Sequence, residues 1–128
     1  MARKGWTSKM RAIEIDPVAR TISEINLIQN PNKTLAELYQ RIGCERIEIV
    51  YIDKEMVLIC DEEGRLKGFK GAFTFIGSGL VIAGKAVVLG AKNEDLRTLK
   101  EHIRSFETLT EWLSPEEVPP PRHRIFAL

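Results

Sequence analysis

Between Arg65 and Lys92 the chain carries five bases, no acid and six of its nine glycines, interleaved with Phe69, Phe73 and Phe75. Glycine lets backbone amides approach an anion, bases neutralise it, and aromatic rings stack on a nucleobase. This combination makes Lys67, Lys70, Gly77, Gly79 and Lys85 candidate ligand-binding residues for a nucleotide or short nucleic acid. The phosphate-binding fingerprints are missing, because no G-K-[ST] closes a P-loop and Gly77-Ser78-Gly79 opens no helix. Lys67-Gly68-Phe69 starts like an RNA-recognition strand motif, and Lys70-Gly71 breaks it. The simpler reading has the glycines forming turns and the phenylalanines filling a core.

A second candidate is the basic arm, in which Arg3, Lys4, Trp6, Lys9 and Arg11 can lie along a phosphate backbone with the indole stacking or entering a groove. With only four bases, a flexible, solubilising extension is the safer reading. For catalysis the chain offers His102, His123, Cys44, Cys60 and scattered carboxylates. Neither histidine has a nucleophile nearby in sequence, and the cysteines resemble small buried residues. The spacing of zinc ligands is absent, and Asp61-Glu62-Glu63 lacks the alternating oxygens of a calcium loop. No enzyme, cofactor or metal is therefore expected.

The 128 residues suit one domain, and their formal net charge of +1 hides opposed blocks. Residues 1–11 carry +4, residues 12–64 carry −6, residues 65–92 carry +5, and the remainder −2. Such asymmetry steers partners or positions the chain's own segments. No window approaches the roughly 18 apolar residues of a membrane helix, and the start lacks the apolar stretch of a secretory signal, so a cytoplasmic protein is expected.

Hydrophobic periodicity places a first hairpin at Met10–Ile15 and Thr21–Ile28, with Ile22 out of phase as a bulge or a late start would make it. Thr34 and Glu37 form a capping box for a short helix through Leu35, Leu38 and Ile42, stopped by Gly43. A second hairpin joins Arg46–Ile52 to Glu55–Cys60, apolar on both faces as central strands are. Short strands follow at Ala72–Ile76, Leu80–Ala83 and Ala86–Leu89. From Glu94 to Leu113, apolar residues at 96, 99, 103, 106, 109 and 113 predict a long amphipathic helix, with His102 at the margin of its stripe and Trp112 beside it. Pro119-Pro120-Pro121 then leads into Arg122–Leu128, whose Ile125-Phe126 suits a docking peptide for this protein or another.

The expected architecture is α+β: a mostly antiparallel sheet of six to seven short strands, one short helix and one long C-terminal amphipathic helix. Residues 1–9 form a flexible basic arm, 10–113 the single domain and 114–128 a proline-rich tail. The order Ile15-Asp16-Pro17, Ile42-Gly43-Cys44, Ile47-Glu48, Asp61-Glu62-Glu63-Gly64-Arg65-Leu66 and Ile82–Gly90 resembles a small domain family of unknown function encoded by bacteriophages and bacterial mobile elements. The resemblance covers roughly residues 11–92; where such domains often carry an asparagine after the acidic turn, this chain has Lys67, Phe69 and Lys70. It implies a non-enzymatic accessory protein that binds a host or viral macromolecule, most readily a protein. Nucleotide or nucleic-acid capture by residues 65–92 is the alternative, and self-association is a further candidate.

Overall fold

The computed structural model describes residues 8–119. Strands β1 (Lys9–Asp16) and β2 (Thr21–Ile28) form the first hairpin, followed by helix α1 (Pro31–Ile42). Strands β3 (Ile47–Asp53), β4 (Met56–Asp61), β5 (Ala72–Phe75), β6 (Val81–Ala83), β7 (Ala86–Lys92) and β8 (Asp95–Arg97) come next. Helix α2 (Ile103–Leu109) and strand β9 (Thr110–Leu113) complete the order. One antiparallel sheet runs β2-β1-β7-β4-β3, with β8 paired to the end of β7; a second runs β6-β5-β9.

The larger sheet is covered on both faces. On one, Ile13, Ile15, Leu58, Cys60, Ala86 and Val88 meet Phe73, Phe75 and Ile82 of the smaller sheet and Phe106 of α2. On the other, Met10, Ala12, Leu27, Val57, Ile59, Val87 and Leu89 pack with Leu38 of α1. Successive strand residues alternate between faces, so a strand apolar at every position serves two cores. Ile22 lies out of phase for the same reason. It sits opposite Ile15 and packs in the first core, whereas Ile25 and Leu27 belong to the second; the β1–β2 register is unbroken and contains no bulge.

Helix α1 starts one turn before the expected box. The Asn30 side chain accepts from the Lys33 N–H at 3.2 Å, and Pro31 occupies the first turn, where its missing donor is harmless. Thr34 is instead buried, its hydroxyl donating to the Ile28 carbonyl. Gly43 ends the helix at φ 76°, as expected.

The long C-terminal helix is not formed, and nine strands among the described residues replace six or seven. Asn93 and Glu94 adopt φ 53° and 71°, a left-handed pair that turns β7 tightly into β8 where the helix was expected to begin. Leu96 consequently lies in β8, Leu99 is buried beside β1 with its N–H on the Arg11 carbonyl at 2.8 Å, and Leu113 pairs with Ala72. Only Ile103–Leu109 is helical, beginning at the exposed His102, whose Nδ1 accepts from the Arg104 N–H at 3.1 Å. Trp112 stands edge-on to Phe73, ring centroids 6.5 Å apart, so it closes the core instead of widening a helical stripe. Of the expected arm, Lys9 begins β1; Arg3, Lys4 and Trp6 lie outside the described residues, as do residues 120–128 of the tail.

Candidate functional site

Helix α1 crosses the β1 side of the larger sheet and leaves the β3 side of the same face open. The result is a groove of about 440 Å³. Pro31, Thr34, Leu35 and Leu38 form its helical wall, Met10 and Ile59 its floor, and Ile47 and Ile49 its opposite wall. Glu94, Asp95, Leu96 and Arg97 of the β7–β8 turn and β8 close one end. Leu35 is 43 % and Ile49 51 % exposed, and Tyr51, on the same face of β3, is 56 % exposed. Isolated exposed apolar residues are ordinary on a protein surface; here Leu35 and Ile49 share one concavity.

The expected pairing of β3 with β4 is present, but among the described residues β3 is an edge strand, not a central one. Its inner partner β4 is buried at Val57, Leu58, Ile59 and Cys60. The two-faced apolar pattern thus suits both strands for different reasons: β4 fills two cores, and β3 presents part of its apolar surface to solvent. Leu35, Ile47 and Ile49 carried no chemical signal in the sequence and read as core.

The residues singled out for anion binding are divided between the two ends of β5. Lys67 and Lys70 precede it and Lys85 lies beside them, since the Gly84 N–H donates to the Gly71 carbonyl at 3.0 Å. Gly77 and Gly79 are in the turn beyond its other end, at φ 84° and 77°. Lys67 is paired with Asp61 at 2.8 Å, and that carboxylate raises the lysine's pKa. Phe73 and Phe75, read as stacking candidates, are buried, and Phe69 is half-buried. From the arm, Arg11 is held within the fold by Glu24 at 3.1 Å and the Leu99 carbonyl at 2.8 Å, while Lys9 is exposed.

The nucleophile candidates are held back by burial. Cys60 has its thiol pushed up to about 12, chiefly by desolvation and then by Glu48 and Asp61. Burial also raises Cys44. A thiol kept protonated at neutral pH is a weak nucleophile and metal ligand. Because the raised pKa is that of the folded state, wild type should lose stability as pH rises from about 9 towards 12, where the unfolded chain ionises and the folded chain does not. Denaturant titrations should show a shallower alkaline decline for Cys60→Ala; identical slopes would contradict the burial of this thiol. Among the described residues, no three His, Cys, Asp or Glu side chains are grouped to hold a metal ion.

Fold and site together define an α+β domain with a two-faced sheet and an apolar groove beside an edge strand. Residues 10–112 match the family described as Domain of unknown function (DUF3846), and the chain belongs to that family. The match extends the expected region from β7 through α2 into β9. Comparison with the curated proteins and with the solved structures finds no match.

Proposed function

We propose that this chain is a non-enzymatic accessory protein of a bacteriophage or mobile element, acting in the cytoplasm by binding a host or viral protein through the α1–β3 groove. The observation that carries the reading is the exposure of Leu35 and Ile49 on opposite walls of one apolar concavity. An occupant with two or three apolar side chains would bury both walls, and each fully buried side chain contributes about 1.5–3 kcal/mol. The mobile-element setting is supported by the sequence resemblance. Among the described residues no helix is long and apolar enough to cross a membrane. Nucleotide capture has less support, since its lysines and glycines lie at opposite ends of β5.

The test is a binding titration between the purified chain and the protein it captures from its native host. Leu35→Asp should weaken the complex at least tenfold while the melting temperature stays near wild type, because Leu35 is 43 % exposed. Unchanged affinity in both Leu35→Asp and Ile49→Asp would remove the groove from the interface.

A further inference from the structure

Among the described residues, no strand pairs with the outer edge of β3. The Glu62 N–H donates to the Arg46 carbonyl at 3.0 Å, and the register sets Glu48 opposite Cys60 and Val50 opposite Leu58. Hydrogen-bonded and non-hydrogen-bonded pairs alternate along an antiparallel ladder, so Arg46, Glu48 and Val50 bond inward to β4. The backbone N–H and C=O groups of Ile47, Ile49 and Tyr51 therefore point away from it. The side chains of the same three residues share one face of the strand, and Ile47 and Ile49 form a wall of the α1–β3 groove. An edge of this length is a template for a further strand.

Charge decides which strand the edge admits. Glu45 and Glu48 near the start of β3, and Asp53 and Glu55 at its end, are exposed. None of the four is in an ion pair among the described residues, and within residues 45–55 only Arg46 and Lys54 oppose them. A second copy of β3 meets like charge. In the twofold antiparallel pairing that sets Ile49 opposite itself, Glu45 falls opposite Asp53 of the other copy. With Val50 opposite itself, Arg46 falls opposite Lys54. Like charges directly opposite each other are destabilising. A strand rich in bases has the complementary charge.

We infer that the partner at the α1–β3 groove is a basic protein that adds an extended segment to β3, its apolar side chains alternating with lysines or arginines. This rests on the groove reading above and names the chemistry of its partner. Backbone bonds to Ile47, Ile49 and Tyr51 supply affinity, and alternate side chains supply specificity, as in strand addition generally. On one face the apolar side chains cover the outer flank of Ile47 and Ile49. On the other, the bases share the face that carries Glu48, and those at the ends of the segment meet Glu45 and Asp53.

The probe is a capped peptide alternating lysine and valine over seven residues, the length of β3, beside a counterpart with glutamate in place of lysine. With the lysine peptide at saturation, the amides of Ile47, Ile49 and Tyr51 in the full chain should exchange at least tenfold more slowly than in the free chain. The lysine peptide should bind about tenfold more tightly than the glutamate peptide, with the gap closing as salt is added. Glu48→Lys should narrow that preference. Tyr51→Pro removes one outward donor, keeps the inward bonds and should abolish the protection. Should Tyr51→Pro unfold, Glu48→Lys decides. Failure of the lysine peptide to bind, equal affinity for the two peptides, or unchanged exchange at the three amides overturns the inference. So does slow exchange already present in the free chain, because the edge is then filled by the chain itself or, with a doubled mass, by a second copy. Tyr51 lies outside the groove lining and Leu35 outside the edge, so the two readings fail separately. A host complex weakened by Leu35→Asp but not by Tyr51→Pro keeps the groove and overturns the added strand; peptide protection without any effect of Leu35→Asp removes the groove alone.

Discussion

Replacing Phe73 by alanine should cost about 3–5 kcal/mol of folding stability, the range for deleting a buried phenylalanine. Phe73 is fully buried in the middle of β5, with Ile82 of β6 on one side and Trp112 of β9 on the other. Its ring lies 5.6 Å from that of Phe75 and 6.5 Å from that of Trp112, tilted and edge-on in the arrangements aromatic pairs favour. The smaller sheet has three strands of three or four residues each, and Phe73 is the one of its core residues Phe73, Phe75 and Ile82 that is fully buried. A domain of this size has a total stability of about 5–15 kcal/mol, and the loss is a large share of it. Urea unfolding should show a lower midpoint with little change in slope. A loss below about 1 kcal/mol would mean that the cavity collapses and that the two sheets are held mainly by other residues.

The same residue shows what the sequence made legible. Phe69, Phe73 and Phe75 follow the alternation of a strand, and both readings of them, stacking surface or core, were consistent with that pattern. Local patterns specified the β1–β2 and β3–β4 hairpins and the end of α1 because turns and caps depend on neighbouring residues. The stretch after Glu94 differs from the expected helix because apolar spacing of three and four also arises when a strand, a buried loop, a short helix and another strand each contribute to a core. The left-handed Asn93-Glu94 turn decided the outcome, and Asn93 was its only sequence signal. The groove was harder to read. Whether β3 is central or at an edge depends on which strands β7 joins, and that is a property of topology, not of local sequence.

Gly90→Ala is expected to cost about 3 kcal/mol, at the upper end for overpacking, and to act on β8 and the groove together. A Cβ on Gly90 would sit 2.5 Å from the Thr98 carbonyl oxygen and 3.1 Å from that of Arg97. Both are backbone atoms, so no side chain can swing aside. Relief requires the chain from β8 to Thr98 to withdraw from β7, against the Gly90–Arg97 pairing and the 2.8 Å bond from the Leu99 N–H to the Arg11 carbonyl. Leu96 and Arg97 line the end of the α1–β3 groove, so the same withdrawal opens it. Gly77→Ala provides the contrast within the same glycine-rich stretch. At φ 84° with nothing within 4 Å of its would-be Cβ, that change carries only the left-handed backbone penalty of about 1–2 kcal/mol and leaves β8 in place. Hydrogen exchange should therefore show lost protection at Leu96 and Leu99 in Gly90→Ala alone. Equal stability and equal protection in the two variants would mean that β7 and the segment from β8 to Thr98 can separate without cost, and the close approach at Gly90 would not be what holds the groove shut at that end.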